Sequence, residues 1–322
     1  MNIEALRQAI AAALAAVLLP SAAFAQDAKA IRVVVPLLAG SGTDVVARTF
    51  TTALAKELGQ PIVVENKAGA ATTLGANFVA KSAPDGMTLL VATTSTLSVL
   101  PNVQKTPYDT LKDLVPIAAY ASSPFLFVVG TESRYKTLGE LIAAAKAEPG
   151  KLTFASSGTG TMTHMVVELL SSVAKVNLTH IPYKGVTGAY ADVIGGRIDL
   201  IADAPASAMP QVRGGRMRAL VLTSPQRSAL MPGVPTVGEL GLSGSEADFI
   251  SGLLAPAGTP APVLAKLQAE SMKVANSAEF RDYLATQGYE PLVADGVEFG
   301  RIIRAGLAKW ERVVKERNIK VE

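Results

Sequence analysis

Strand-like and helix-like segments alternate along this chain from Ile31 onward. Residues 31–36 are apolar and rich in β-branched side chains, which is typical of a strand buried on both faces. Residues 44–58 then carry apolar side chains at helical spacing, and the same order returns with a strand at 125–129 and a helix at 137–147. Strands that alternate with helices of this length indicate βαβ units around mainly parallel sheets. The pattern therefore predicts an α/β protein.

No repeat with a fixed period is visible, so the division of the chain follows from the order of these segments. We expect two α/β lobes, with residues 26–120 and 233–322 in lobe 1 and residues 121–232 in lobe 2. The chain would cross between the lobes twice, near 119–124 and 223–235. A ligand would then lie between the lobes, beyond the carboxyl ends of strands, which is the usual site in open α/β sheets.

Residues 1–25 have the organisation of a secretory signal peptide. Arg7 supplies a modest positive charge, residues 9–19 are apolar, and Ala23 to Ala25 form a small-x-small cleavage site. The alternative is an uncleaved membrane anchor, but the apolar stretch is shorter than a membrane span requires. We therefore expect export and removal of this segment.

Composition and motifs exclude several classes of function. The chain has no cysteine, which excludes disulfides, thiol catalysis and thiolate metal sites. Its net charge is +3 with no run of Lys or Arg, so neither a nucleic-acid surface nor a polybasic membrane patch is indicated. No Gly-x-Ser-x-Gly elbow, P-loop or complete dinucleotide fingerprint occurs, and no pair of histidines has the His-x3-His spacing. We expect no catalytic residue, no metal site and no cofactor.

Three polar loops each follow a predicted strand and precede a predicted helix. They are residues 40–43 (GSGT), 93–96 (TTST) and 156–161 (SSGTGT). Glycine lets a ligand approach the backbone, hydroxyls donate and accept hydrogen bonds, and free N–H groups at a helix N-terminus favour an anion. A tight turn with a helix cap would explain any one loop equally well. Three such loops at one sheet edge predict a cradle for an anion.

Four charged or titratable side chains near these loops have alternative roles. Asp44 opens a helix and can simply cap it, whereas Asp203 can cap a helix or accept a hydrogen bond from a ligand hydroxyl, ligand amine or water. His164 can orient the 156–161 loop, contact a ligand or be a buried, hydrogen-bonded histidine. Lys184 can pair with an anion or be solvated. The sequence leaves these alternatives open.

Motifs spread over residues 31–321 resemble those of a known family. They include ELGQPIVVEN (57–66), APDGMTLL (83–90), PGKLTFASSGTGT (149–161) and GGRIDLIAD (195–203). In this order they resemble the solute receptors of tripartite tricarboxylate transporters, also called Bordetella uptake gene (Bug) receptors.

The resemblance implies a type II periplasmic-binding-protein fold, in which two α/β lobes joined by two crossover strands close around a ligand cleft. It implies a periplasmic receptor for a small carboxylate, such as a di- or tricarboxylate, an aromatic acid or an amino acid. The partners would be a large and a small membrane subunit, with no nucleic acid, and the receptor would be a monomer. Two alternatives are presentation of the ligand to a sensor kinase and a periplasmic enzyme.

The polar loops, their neighbours and the resemblance together define the expected ligand site. The expected ligand-binding residues are Gly40, Ser41, Gly42, Thr43, Asp44, Thr94, Ser95, Ser156, Ser157, Gly158, Thr159, His164, Asp203 and Ala204. The chain departs from the family pattern at residues 36–42, 68–73 and 249–251. Leu37, Leu38 and Phe249 in these segments would suit a less polar or aromatic acid, and loop packing would explain them equally well.

Overall fold

The computed structural model describes residues 29–320, so the expected signal peptide lies outside the described residues. The strands are β1 Ile31–Val35, β2 Ile62–Asn66, β3 Thr88–Thr93, β4 Leu114–Pro124, β5 Leu126–Gly130, β6 Thr153–Ser156, β7 Thr179–Pro182, β8 Leu200–Asp203, β9 Met217–Leu222, β10 Asp248–Pro256 and β11 Glu290–Asp295. The helices are α1 Gly42–Leu58, α2 Thr73–Ala80, α3 Leu100–Val103, α4 Leu138–Ala147, α5 Met162–Ala174, α6 Val186–Ile194, α7 Pro205–Arg213, α8 Ala261–Asn276, α9 Ala278–Thr286 and α10 Gly296–Glu316.

The strands form two separate sheets. The first has the order β11-β4-β10-β3-β1-β2 and the second has the order β7-β6-β8-β5-β9. Strand β1 pairs in parallel with β2 and β3, and β6 pairs in parallel with β7 and β8. Strand β10 is antiparallel to both of its neighbours, β3 and β4. The predicted α/β architecture with two lobes is confirmed.

Helix α1 illustrates how the sequence determines the local structure. Ser41 caps the helix, because its side-chain oxygen accepts a hydrogen bond from the backbone N–H of Asp44 at 3.4 Å. Gly59 ends it in the left-handed conformation, at φ 63°. The inner face carries Phe50 and Leu54, which are fully buried in the core of lobe 1. Burial of each such side chain stabilises the fold by about 1.5 to 3 kcal/mol.

Two backbone crossovers connect the lobes. Strand β4 of the first sheet continues through Phe125 into β5 of the second sheet. Strand β10 begins at Asp248, which pairs with Pro124 at the end of β4. The two crossovers therefore lie side by side, which is the arrangement of a hinge between two lobes.

The segment that precedes β10 remains with the second sheet. Thr236 forms a bridge with Leu222 of β9, and the backbone N–H of Ala247 donates to the carbonyl of Thr223 at 3.1 Å. The sequence pattern predicts that residues 233–247 belong to lobe 1, whereas backbone groups of residues 235–237 and 247 pair with Leu222 and Thr223 at the end of β9.

The C-terminal helix α10 contacts the cores of both lobes. Phe299 and Ile303 near its start belong to a core cluster of lobe 1, whereas Trp310 and Val313 belong to the core of lobe 2. The helix therefore links the lobes in addition to the two crossovers. None of the helices within residues 29–320 is long and apolar enough to cross a membrane.

Candidate functional site

A cleft of about 430 Å³ lies between the lobes, beyond the carboxyl ends of β1, β3, β6 and β8. Its lining from lobe 1 comprises Ser41, Gly42, Thr43, Ser95, Phe249, Gln287 and Tyr289. Its lining from lobe 2 and the first crossover comprises Ser123, Phe125, Ser157, Thr161, Met162, Thr163, Asp203, Ala204, Ala206 and Ser207. A volume of this size suits a small molecule.

On lobe 1, the N-terminus of α1 faces the cleft. A Cβ atom on Gly42 would lie 3.0 Å from the Tyr289 hydroxyl oxygen, so glycine here lets the tyrosine approach the helix. Burial raises the pKa of Tyr289, so its hydroxyl keeps its proton at neutral pH and can donate a hydrogen bond. Ser41 and Thr43 place two further hydroxyls at the same helix terminus.

Asp44 is directed into lobe 1 and away from the cleft. Its carboxylate accepts hydrogen bonds from the Gly40 N–H at 2.9 Å, from Arg48 Nε at 2.9 Å and from Asn66 Nδ2 at 2.8 Å. Burial alone would raise the pKa of Asp44, but these bonds and the Arg48 charge hold that pKa below its usual range. Asp44 thus fixes the loop at Gly40. Its negative charge also interacts favourably with the positive end of the α1 helix dipole.

On lobe 2, three hydroxyls cluster at the N-terminus of α5. Thr163 Oγ1 lies 2.9 Å from Ser157 Oγ and 3.0 Å from Thr161 Oγ1, and it also accepts the Ser157 backbone N–H at 2.9 Å. Hydroxyls in such a cluster can rotate to donate to an incoming acceptor. Because the loop N–H of Ser157 is already bonded, the side chains supply the donors that face the cleft.

Behind this loop lies a stacked histidine pair. The rings of His164 and His180 lie with centroids 3.8 Å apart, and Ser156 Oγ is 2.6 Å from His180 Nε2. The backbone N–H of Gly160 donates to His164 Nδ1 at 3.0 Å, which fixes the orientation of this ring. Burial and the neighbouring His164 lower the pKa of His180 to about 4, so it is neutral at pH 7. Both histidines therefore support the loop from behind.

The support continues to the end of helix α10. His164 Nε2 lies 3.6 Å from Glu168, and Arg317 Nε donates to Glu168 at 2.5 Å. Burial opposes ionisation of Glu168, but the hydrogen bonds from His164 and Arg317 lower its pKa overall. The spacing of four residues between His164 and Glu168 on one helix is the sequence signal for this pair.

Asp203, at the end of β8, is the acidic side chain of the cleft lining. Its carboxylate accepts hydrogen bonds from the Tyr190 hydroxyl at 2.6 Å and from the Ala204 N–H at 2.8 Å. Burial raises the pKa of Asp203 despite these bonds. Helix α7 begins after Ala204, whose backbone occupies the cap position, so Asp203 does not cap the helix with its side chain.

The structure brings half of the expected site residues together. The residues that line the cleft are Ser41, Gly42, Thr43, Ser95, Ser157, Asp203 and Ala204. The other seven expected residues are absent from this lining: Gly40, Asp44, Thr94, Ser156, Gly158, Thr159 and His164. The Thr94 hydroxyl, for example, donates to the carbonyl of Asp248 at 3.0 Å. Ligand contact stays a prediction for all fourteen residues.

Several lining residues are missing from the expected set of ligand-binding residues. Thr161 ends the polar loop 156–161 that the sequence predicts to face an anion, and Thr163 follows it with another hydroxyl, so the sequence held a usable signal for both. The sequence around Gln287 and Tyr289 gave no signal of a place in the cleft. These residues follow α9 far along the chain and reach the cleft only through the fold.

The cleft combines neutral donors with one carboxylate. Among its described lining residues there is no Lys, Arg or His. Within residues 29–320, no group of three or more His, Asp or Glu side chains is placed to hold a metal ion. An anion in this cleft would therefore be held by hydroxyls and helix N-termini, while Asp203 would accept a hydrogen bond from another part of the ligand.

Comparisons with known proteins agree with this geometry. Residues 46–319 match the family model described as "Tripartite tricarboxylate transporter family receptor". Protein BugT of Bordetella pertussis is 33% identical over 315 residues, which cover 96% of each chain. The structure of MatC from Rhodopseudomonas palustris with bound malate is 34% identical, with a TM-score of 0.73 over 88% of this chain and 98% of that one. An R. palustris protein with adipate is 28% identical, with a TM-score of 0.76 over 90% and 98%.

Proposed function

Since the chain belongs to the tripartite tricarboxylate transporter receptor family, whose members are periplasmic binding receptors and not enzymes, we propose that it captures a small carboxylate in the cleft between its lobes. It then delivers this ligand to the large and small membrane subunits of a tripartite transporter. The protein acts as a monomer in the periplasm, after export directed by residues 1–25.

The observation that carries this proposal is the convergence of uncharged donors from both lobes on one cleft. Ser41 and Thr43 lie at the N-terminus of α1, and Ser157, Thr161 and Thr163 lie at the N-terminus of α5. Hydrogen bonds to a carboxylate are charge-assisted and contribute more than bonds between neutral groups. Two helix N-termini add favourable dipoles at the same place.

The remaining lining indicates which carboxylates fit. Asp203 is an acceptor, so it favours a ligand with a hydroxyl or amino group. Phe125, Met162 and Phe249 provide apolar contacts for a short carbon skeleton. A tricarboxylate fits less well, because the described lining of the cleft contains no cationic side chain to offset three negative charges. We therefore propose a hydroxy- or amino-substituted mono- or dicarboxylate.

Capture proceeds by closure of the lobes. A ligand that contacts both lobes favours the closed state only by its additional affinity for that state. The lobes already approach each other beside the cleft, where a Cβ atom on Gly288 of lobe 1 would lie 3.4 Å from Ala206 of lobe 2. Closure excludes water and strengthens each bond to the carboxylate, because the local dielectric constant falls.

A thermal-shift screen of the mature protein tests this proposal. The ligands are malate, succinate, adipate, citrate, aspartate and benzoate, each added as its sodium salt. Sodium chloride at the same ionic strength is the control. A ligand present at about 100 times its dissociation constant adds about 2.7 kcal/mol to the unfolding free energy. We expect a substituted dicarboxylate such as malate to raise the melting temperature most. Stabilisation by none of these acids, or conversion of any of them by the purified protein, would contradict the proposal.

A further inference from the structure

A second cavity, of about 370 Å³, lies on the other side of strand β10 from the ligand cleft; we name it the rear cavity. Asp248 and Ile250 of β10 line the rear cavity, whereas Phe249 between them lines the cleft. Successive side chains of a strand point to opposite faces, so β10 is the wall between the two spaces. The rear cavity is thus separate from the carboxylate site.

The walls of the rear cavity are mainly apolar. Leu97, in the helical turn that follows β3, lines it from lobe 1, and Phe299, Ile302 and Trp310 line it from helix α10. The volume lies within the range of small-molecule sites, which combine apolar walls with a few polar groups. This composition suits a ligand with a hydrocarbon or aromatic body.

Two polar groups in the lining of this cavity lack a partner within the described residues: the indole N–H of Trp310, and the carboxylate of Asp248, which is the acceptor of the two. Its Oδ1 atom is buried and accepts no hydrogen bond within residues 29–320, although the side chain also reaches the cavity. Burial raises the pKa of Asp248 to about 6; the Lys309 charge opposes this shift, while Glu290 and Glu246 add to it. A carboxylate in such surroundings is stabilised by a donor that bonds to it directly.

The two cations that line the rear cavity are engaged elsewhere. Lys309 Nζ donates to the backbone carbonyl of Glu246 at 2.8 Å, and Arg301 is paired with Glu298 at 2.6 Å. Neither forms an ion pair with Asp248 within 4.0 Å. The position for a donor to Asp248 is therefore left to a molecule in the cavity.

We propose that the rear cavity is a second binding site, which takes a small organic cation with an apolar body. The protonated amine bonds to Asp248, and the body packs against Phe299 and Ile302. Helix α10 and strand β10, which form the walls, both connect the lobes, so an occupant contacts the hinge directly.

Benzylamine is the probe that tests this proposal, and benzyl alcohol and benzoate are its neutral and anionic counterparts. Trp310 is the single tryptophan of the chain, and it lies in the cavity wall, so its fluorescence reports on occupancy. We expect a saturable change in emission with benzylamine, at least about tenfold tighter than with benzyl alcohol, because a hydrogen bond to a charged group contributes about that factor. Equal binding of the amine and the alcohol, or no saturable response to the amine, overturns the proposal.

Two variants and a matched control locate the binding. Asp248→Asn keeps the shape of the side chain but removes the charge, and Ala305→Phe fills the cavity from an exposed position of α10. Ala308→Phe places the same ring on the same helix outside the cavity lining. We expect both cavity variants to weaken benzylamine binding at least about tenfold and the Ala308 variant to leave it unchanged. Unchanged binding in both cavity variants places the amine elsewhere and refutes the site.

Discussion

The Ser157→Ala substitution tests the donor cluster of lobe 2 by removal of one oxygen atom. Ser157 Oγ lies 2.9 Å from Thr163 Oγ1 and 3.2 Å from Thr161 Oγ1. After the change, Thr163 Oγ1 still accepts the backbone N–H of residue 157 and still lies 3.0 Å from Thr161 Oγ1. No buried polar atom loses its last partner, so the unfolding free energy should fall by less than about 1 kcal/mol.

The effect of Ser157→Ala on binding should be larger. A hydrogen bond to a charged group contributes about 1.5 to 3 kcal/mol. Its loss corresponds to an increase in Kd of roughly 10- to 150-fold. Thr43→Ala, on the other lobe, should weaken binding in the same range, because its hydroxyl lines the opposite wall.

Isothermal titration calorimetry with malate measures these changes, and thermal unfolding measures stability in parallel. Thr179→Ala is the matched control, since it removes a hydroxyl of lobe 2 that bonds to the Gly150 carbonyl away from the cleft. We expect this control to bind malate like the wild type. Wild-type affinity in both Ser157→Ala and Thr43→Ala would refute the assignment of the donor loops.

Three further substitutions test other parts of the site. Asp203→Asn should weaken the binding of malate about tenfold more than the binding of succinate, because only malate has a hydroxyl to donate to this side chain. Equal losses of affinity for the two acids in calorimetry would exclude Asp203 as the acceptor of the ligand hydroxyl. The folded-state pKa of His180, about 4, lies below its unfolded value. Its contribution to stability is therefore complete above about pH 6.5 and lost as the pH falls towards 4, and His180→Asn should flatten the urea stability curve over that range. Arg317→Met leaves buried Glu168 without its cation and should cost about 3 kcal/mol, partly recovered by adding Glu168→Gln; a purely additive double-mutant cycle would exclude the coupling.

Local sequence was sufficient for the parts of the site that a strand, a loop and a helix form in succession. Ser41 and Ser157 each follow a β-strand and precede a helix N-terminus, and both line the cleft. In parallel strands the carboxyl ends lie at one edge of the sheet, so this position follows from the alternation of elements alone. The α/β class and the two lobes were predictable for the same reason.

Contacts between distant segments could not be predicted in this way. The Thr94 hydroxyl bonds to the backbone of Asp248 and Ile250 on β10, more than 150 residues later, rather than lining the cleft. Tyr289 reaches the cleft because β11 is placed at the edge of the first sheet beside β4. Nothing in the local sequence around these residues specifies such pairings.

The strained backbone at residues 70–72 could not be predicted from the sequence pattern either. Ala70, Ala71 and Thr72 all have positive φ values, of 45°, 51° and 81°. The left-handed region costs a residue with a side chain about 1 to 2 kcal/mol, so glycine is the usual choice there. The Thr72 hydroxyl lies 2.9 Å from that of Thr96, which helps to hold the loop in this conformation beside the polar turn after β3.

The central claim is that both lobes donate uncharged hydrogen bonds to one carboxylate, and a crystal structure of the protein grown with malate measures this directly. The account predicts one malate carboxylate within about 2.7 to 3.2 Å of a donor on the 41–43 loop and of a donor on the 157–163 loop, with the malate hydroxyl on Asp203. A carboxylate that contacts one lobe alone, or that is neutralised by a Lys or Arg side chain, would contradict it.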